Sequence, residues 1–358
     1  MSSQKHIVDS YTADQALIAL AEHANSVSSS GLTWGLPTLD NYGRQPLPEE
    51  YAIFLAREGS MKTTFCTHLM RHWSRQLYTY NQSSRDFKCG IIVKYEEGVE
   101  PTRMSLWNTP FKYIDVANGK IDKPTMVQHA GNQIDHPMFY VGSARTKLNF
   151  ASHTFGGTQP TIKDIADAIE VIANGKSADG RQISPSFVIV DYIQKVTPHG
   201  KYDGDTERMS MVSEQLYDIG KAFKCFMACA AQAMLKGNDS GIPNTDEVMG
   251  SSRVSQDADM LFGFNRPSKN KSYIQPKFDQ AGSRLIPNTG TMIDIEGYGQ
   301  VTATNNMIVA RVNKYRYTRS AEGRKFPIWF NNSGDATECS PYGQTQYMPS
   351  KAWLDGNK

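Results

Sequence analysis

Lys62-Thr63-Thr64 follows Ala56-Arg57-Glu58-Gly59-Ser60-Met61, and an amine followed by hydroxyls behind a short polar turn is a set of groups suited to phosphate. In the pattern G-x-x-x-x-G-K-[ST], backbone N–H groups cradle the phosphates, the lysine reaches the terminal ones and the hydroxyl holds Mg2+. That assigns Glu58, Gly59, Ser60, Met61, Lys62, Thr63 and Thr64 to a triphosphate such as ATP, with Thr63 also on the metal. Two positions depart from the pattern, because Ala56 and Met61 stand where glycines are expected. Alanine is a mild change. Met61 puts a side chain where the backbone normally needs glycine's freedom, which predicts weakened binding. Taken as a fragment, the same residues also fit an ordinary strand-to-helix turn.

A phosphate loop calls for a carboxylate at the end of a buried strand, and Phe187-Val188-Ile189-Val190-Asp191 supplies one later in the chain. Asp191 is therefore the second candidate for the Mg2+ water shell. Its alternative role is to cap the turn that follows.

The elements that would hold these groups alternate. Tyr51 to Ala56 reads as a strand, and Lys62 to Leu77 as a helix with Phe65, Leu69, Met70, Trp73 and Leu77 at helical spacing. Cys89 to Tyr95 and Pro137 to Val141 read as strands, Ile162 to Ala173 as a helix opened by Thr161, and Phe187 to Val190 as a buried strand. A helix marked by Met209, Val212, Leu216, Ile219 and Phe223 precedes a strand at Phe226 to Ala231. This rhythm predicts an α/β fold with a mostly parallel, helix-covered sheet. Further strands are expected at Leu261 to Phe264 and Met307 to Val312, flanking a polar insertion from Arg266 to Asn306, a loop or β-hairpin. Residues 12 to 26 predict a short amphipathic helix, followed by a Ser-rich linker.

The chain has 358 residues, enough to bury a large core. With 38 basic and 36 acidic residues the net charge is +2, so any nucleic-acid contact must come from local patches. No apolar run approaches the roughly 20 residues of a membrane span. The N-terminus lacks the pattern of a secretion signal, so a cytoplasmic location is expected, or host cytoplasm for a viral protein. Cys66, Cys89, Cys225, Cys229 and Cys339 form no C-x-x-C pair, and buried free thiols are the expectation.

Several separated blocks, in order, resemble the DnaB-type replicative helicases of the RecA-like ATPase superfamily. Gly31-Leu32-Thr33-Trp34-Gly35-Leu36-Pro37-Thr38-Leu39-Asp40 is similar to that family's G-x-x-T-G-x-x-x-L-D opening motif, and Ala56 to Thr64 to its A-R-P-S-M-G-K-T-T loop. Tyr95-Glu96-Glu97 resembles S-L-E-M, Val190-Asp191-Tyr192-Ile193-Gln194 resembles I-D-Y-L-Q, and Ala231-Gln232-Ala233 resembles S-Q-L. Gly250 to Asp259 resembles G-S-I-E-Q-D-A-D, and Ile308 to Arg316 the strand leading into K-x-R.

The resemblance implies a RecA-like twisted sheet with helices on both faces, plus an N-terminal linker helix that docks on an adjacent subunit. It implies Glu96 as the residue that polarises the attacking water, with Glu97 as the fallback, and Gln232 as the γ-phosphate sensor. Lys314 and Arg316, with Arg311 competing, would reach the phosphate of a neighbouring subunit. Read without the resemblance, the Glu pair is an exposed turn and the basic strand end a solvated surface. Single-stranded DNA would meet two channel loops, one carrying Lys195, Lys201 and Arg208, the other running from Lys236 to Arg253. The insertion, with Arg266, Lys269, Lys271, Lys277, Tyr273 and Phe278, has a composition compatible with base stacking or with a solvated loop.

The implied organisation is a linker helix and linker at 1–30, a RecA-like ATPase domain at 31–335 and a tail at 336–358. The implied function is an ATP- and Mg2+-dependent DNA helicase working as a hexameric ring. Its implied partners are copies of itself, single-stranded DNA and a primase or loader protein, with no membrane among them. Two alternatives remain open: a degenerate ATPase, motivated by Met61, and a RecA-like recombinase.

Overall fold

Every residue of β1 (Tyr51–Ala56) is buried, and the strand's two faces enter different cores. Ala52, Phe54 and Ala56 join one apolar cluster, while Tyr51, Ile53 and Leu55 join another. Alternation within a continuous apolar run is what a strand covered on both faces requires. The computed structural model describes residues 17–18, 32–94, 115–116, 118–131, 137–143, 154–155, 161–234, 241–248, 252–269, 292–316, 318–332, 334–338 and 351–354. The expected helix at 12–26 lies outside them except for Leu17 and Ile18, which are helical and exposed.

The remaining elements are α1 (Pro37–Tyr42), α2 (Lys62–Asn81), β2 (Phe87–Lys94), α3 (Lys123–Gly131), β3 (Met138–Ser143), β4 (Thr154–Phe155) and α4 (Ile162–Ala173). They continue with β5 (Ile183–Asp191), α5 (Gly204–Ala222), β6 (Phe226–Gln232), α6 (Arg253–Asp257), β7 (Met260–Asn265), β8 (Met292–Ile295) and β9 (Gly299–Thr302). β10 (Met307–Tyr315), β11 (Lys325–Phe330), β12 (Ala336–Thr337) and α7 (Lys351–Leu354) complete the set. Ten strands form one sheet in the order β12-β11-β10-β7-β1-β6-β5-β2-β3-β4. From β7 to β4 all neighbours are parallel, and β10, β11 and β12 extend the sheet antiparallel. The mostly parallel, helix-covered sheet is as the sequence predicts.

One core cluster gathers α2 and the opening motif. Trp34 is fully buried, with edge contacts to Phe54, Trp73, Phe226 and Phe262 at 5.3–6.4 Å between ring centres. Its backbone N–H donates to Asp40 Oδ1 at 2.8 Å, so the Asp of that motif closes its own turn. α2 runs four residues past Leu77, because Asn81 exchanges two hydrogen bonds with the backbone of Lys88 at 2.8 and 2.9 Å and ties the helix end to β2. The other cluster packs α4 and α5 on the opposite face; Thr161 caps α4 by accepting from the Asp164 N–H at 3.2 Å.

Within the insertion, β8 and β9 form an antiparallel hairpin whose Ile293, Ile295, Tyr298 and Val301 are buried on the α2 side. Residues 270–291, including Lys271, Lys277, Tyr273 and Phe278, lie outside the described residues. Glu338, directly after β12, is buried and accepts from the Thr38 N–H at 2.9 Å and the Thr38 hydroxyl at 2.6 Å. Burial pushes its carboxyl up, and the bonds from Thr38 and Tyr298 oppose that shift. Cys66, Cys89, Cys225 and Cys229 are buried free thiols; Cys339 lies outside the described residues. No helix among the described residues is long and apolar enough to cross a membrane.

Candidate functional site

The carboxyl ends of β1, β6, β5 and β7 lie along one edge of the sheet, where ligands of open α/β folds bind. The turn between β1 and α2 holds two residues in the left-handed region, Gly59 at φ 71° and Met61 at φ 62°, ψ 25°. Met61 thus adopts the conformation for which glycine is normally chosen, at a cost of about 1 kcal/mol for a residue with a Cβ. Its half-buried side chain packs against the α2-side core. Beside it a cavity of about 510 Å³ stays open, lined by Glu58, Gly59, Ser60, Met61, Lys62, Thr63, Thr64, Asp191, Tyr192, Gln232 and Arg266. Such a volume lies within the range of small-molecule sites. Lys62 Nζ donates back to the carbonyls of Ala56 at 3.1 Å and Arg57 at 3.4 Å.

Asp191 ends β5 and is 6% exposed, and its Cα pairs with that of Lys94, the buried last residue of β2. Both act on Cys66 in the first turns of α2. Burial pushes that thiol up, the Asp191 charge adds to the shift, and Lys94 and Lys62 oppose it. One carboxylate and two amines thus all act on the same buried thiol. Glu96 and Glu97 lie outside the described residues, two and three positions beyond Lys94.

The oxygen donors suit a hard cation. Thr63 and Asp191 border the same cavity, and Mg2+ bound with phosphates needs only one or two protein oxygens besides water. Among the described residues no group of three or more His, Cys, Asp or Glu could hold a metal alone, so phosphate oxygens would have to complete the shell.

Gln232 ends β6, with its Cα paired to Ala56. Its N–H donates to Gln194 Oε1 at 3.1 Å, and Gln194 Nε2 donates to its carbonyl at 3.2 Å, so a side chain from beyond β5 fixes its backbone. Arg266, which the sequence places in the insertion, is a cavity residue. It follows β7, the other neighbour of β1, and its Nη1 donates to the Gly59 carbonyl at 3.3 Å while Nε donates to Asn305 O at 3.0 Å. Its place directly after an apolar strand was the available signal; the order β7-β1-β6 was not.

Lys314 and Arg316 are on the opposite edge. β10 runs antiparallel to β7, and Tyr315 pairs with Met260 at the strand's start. They are thus a strand length, about 17 Å, from the loop of their own chain. Lys314 Nζ donates to the carbonyls of Ser255 at 2.9 Å and Gln256 at 2.8 Å, and Arg316 Nη2 to Gln256 O at 3.2 Å. Both cations sit at the C-terminal end of α6, where helix carbonyls favour positive charge. Arg311 is half-buried and its Nε donates to Asn313 Oδ1 at 2.5 Å.

The described residues expected to meet DNA differ in their local surroundings. Lys195 is half-buried, with its amine 5.8 Å from the Tyr192 ring centre, and Lys201 is exposed. Arg208 Nη1 donates to the carbonyls of Gln194 at 3.1 Å and Val196 at 3.0 Å, anchoring α5 to the turn after β5. Arg253 is exposed and lies 3.6 Å from both Glu214 and Asp257. Lys236 lies outside the described residues.

The mostly parallel α/β sheet, with a lysine- and threonine-bearing turn at its central carboxyl edge, is the fold class that known structures share with this chain. The chain is similar to a solved DnaB-like replicative helicase, described with its interactions with primase, at TM-score 0.61 and 15% identity, over 92% of this chain and 67% of that one. It is similar to a second solved structure, an ATPase domain, at TM-score 0.64 and 14% identity, over 92% of this chain and 99% of that domain. At these identities the likeness is one of fold. No protein-family model and no curated protein matches the chain.

Proposed function

We propose that the chain is an ATP-dependent helicase or translocase of the replicative DnaB type, acting on single-stranded DNA as an oligomeric ring, with residues 31–335 as its ATPase domain. The observation that carries this reading is the open cavity that joins Lys62, Thr63, Asp191 and Gln232 at the end of β1. The likeness to DnaB-like helicase and ATPase-domain folds supports it. ATP with Mg2+ supplies the transferable phosphoryl group when bound, held by the amides of residues 58–64, with Thr63 and Asp191 as the metal's protein oxygens. Lys62 would leave the Ala56 and Arg57 carbonyls for phosphate. Gln232, which lines the cavity, is the proposed sensor of the terminal phosphate, and Glu96 is the proposed base. Lys314 and Arg316, remote from their own loop, fit a role toward a neighbouring subunit's phosphate. The primase interactions of the DnaB-like neighbour make a primase, or a loader, the partner to test.

A second reading, an ATPase-like protein that binds nucleotide or DNA without efficient turnover, is favoured by the left-handed Met61. ATP turnover with and without single-stranded DNA separates the two. The motor reading expects DNA-stimulated hydrolysis that Lys62→Ala lowers by about 100-fold or more. Nucleotide binding without turnover supports the second reading, and no nucleotide binding at all defeats both.

A further inference from the structure

Glu58 brings a carboxylate into a loop whose other groups suit phosphate. In the loop block that the chain resembles, A-R-P-S-M-G-K-T-T, proline stands at this position, so the charge is a feature of this chain. The backbone holds it at a corner. The Ser60 N–H donates to the Arg57 carbonyl at 3.2 Å, and Gly59, at φ 71°, supplies the left-handed third residue of a type II turn, with Glu58 as the second.

Glu58 is exposed and lines the cavity beside Lys62, Thr63 and Asp191. Among the described residues no cation pairs with its carboxylate and no donor bonds to it. The charged residues of the lining are two cations, Lys62 and Arg266, and two carboxylates, Glu58 and Asp191, so their formal charges cancel. A neutral cavity is poorly matched to a bare triphosphate. Asp191 is buried, and its Cα pairs with that of the buried Lys94, a cation that opposes its charge. Arg266 Nη1 is tied to the carbonyl of Gly59, the residue after Glu58, yet forms no ion pair with that carboxylate. Glu58 is therefore the negative charge of the lining that the described residues leave without a partner. Mg2+ cancels about half of the negative charge of ATP on binding it. Repulsion from Glu58 thus acts about twice as strongly on the metal-free nucleotide as on the chelated one.

We infer that Glu58 is a specificity-determining residue: by charge repulsion, and without ligating the metal, it makes the cavity select the metal-chelated nucleoside triphosphate over the metal-free form. This rests on the ATPase reading above, and its test tells the failure of one from the failure of the other.

The full chain is titrated with a fluorescent ATP analogue in Mg2+ and in EDTA, each at about 50 mM and about 500 mM NaCl. At low salt Glu58→Gln is expected to raise affinity about tenfold in EDTA and about threefold in Mg2+, since halving the phosphate charge takes the square root of the factor. At high salt both gains should shrink below about twofold, because an exposed charge is screened. Glu58→Pro should give the same pattern, as proline suits the second position of a type II turn and carries no charge. A merely structural role would change affinity equally in the two buffers and without regard to salt, and that result overturns the inference. So does a loss confined to Mg2+, which would make Glu58 a metal ligand, and so does an unchanged affinity in EDTA. A wild type that binds the analogue in neither buffer overturns the ATPase reading itself, and the role of Glu58 falls with it.

Discussion

Arg316 and Asp259 hold each other twice: the Arg316 N–H donates to the Asp259 carbonyl at 2.7 Å, and Nη1 meets Asp259 Oδ1 at 2.9 Å. Asp259 Oδ2 also accepts from the Tyr51 N–H at 3.0 Å, so the arginine is anchored to the start of β1 while the phosphate loop hangs from its end. One strand carries both halves of the proposed intersubunit pocket, at opposite edges of the sheet.

Mixing two inactive variants tests that arrangement. Lys62→Ala and Arg316→Ala should each lose about 100-fold or more of DNA-stimulated hydrolysis. Mixed oligomers contain interfaces with an intact Lys62 on one side and an intact Arg316 on the other, so the mixture should hydrolyse more than either variant alone. No recovery on mixing, with mixed assembly verified, would remove the trans role.

Asp191→Asn separates metal from phosphate contacts. If the carboxylate serves the metal, nucleotide affinity should fall about tenfold or more in Mg2+ and change less than about twofold in EDTA. Equal losses in both buffers would assign Asp191 to the fold of the loop.

Met61 allows a stability test with an unusual order. Met61→Ala keeps the left-handed cost and loses the packing, whereas Met61→Gly loses the packing and sheds the cost. The glycine variant should be more stable than the alanine variant by about 1 kcal/mol, the reverse of the order inside a helix. Turnover measured on the same proteins reads whether the loop is detuned, in which case Met61→Gly is the faster enzyme.

Glu50 supplies a pH dependence. Burial pushes its carboxyl up from 4.5 to about 7, with Arg44 opposing and the Asp259 charge adding to the shift. Because the folded state binds this proton more tightly than the unfolded chain, the group's contribution to stability is full below about pH 4.5 and is lost as pH rises through 7. Between pH 5 and 8 the wild type should therefore lose about 2–3 kcal/mol relative to Glu50→Gln. A difference in denaturation midpoint that is flat with pH would contradict this.

Local patterns settled much of the architecture. Tyr51–Ala56 and Phe187–Asp191 are apolar almost without interruption, and such runs make strands covered on both faces wherever they sit in a sheet. Lys62 and Thr63 at a strand-helix junction, and Asp191 at a strand end, were legible because each depends only on its neighbours in the chain. Beyond their reach lay every relationship set by the order of strands. Arg266 reaches Gly59 because β7 lies beside β1, Arg208 serves carbonyls after β5, and Arg57 finds Glu247 across 190 residues. Periodicity reports which face of an element is buried, but the partner of a side chain is chosen by which elements become neighbours. That choice is made only when both faces of the sheet are covered at once.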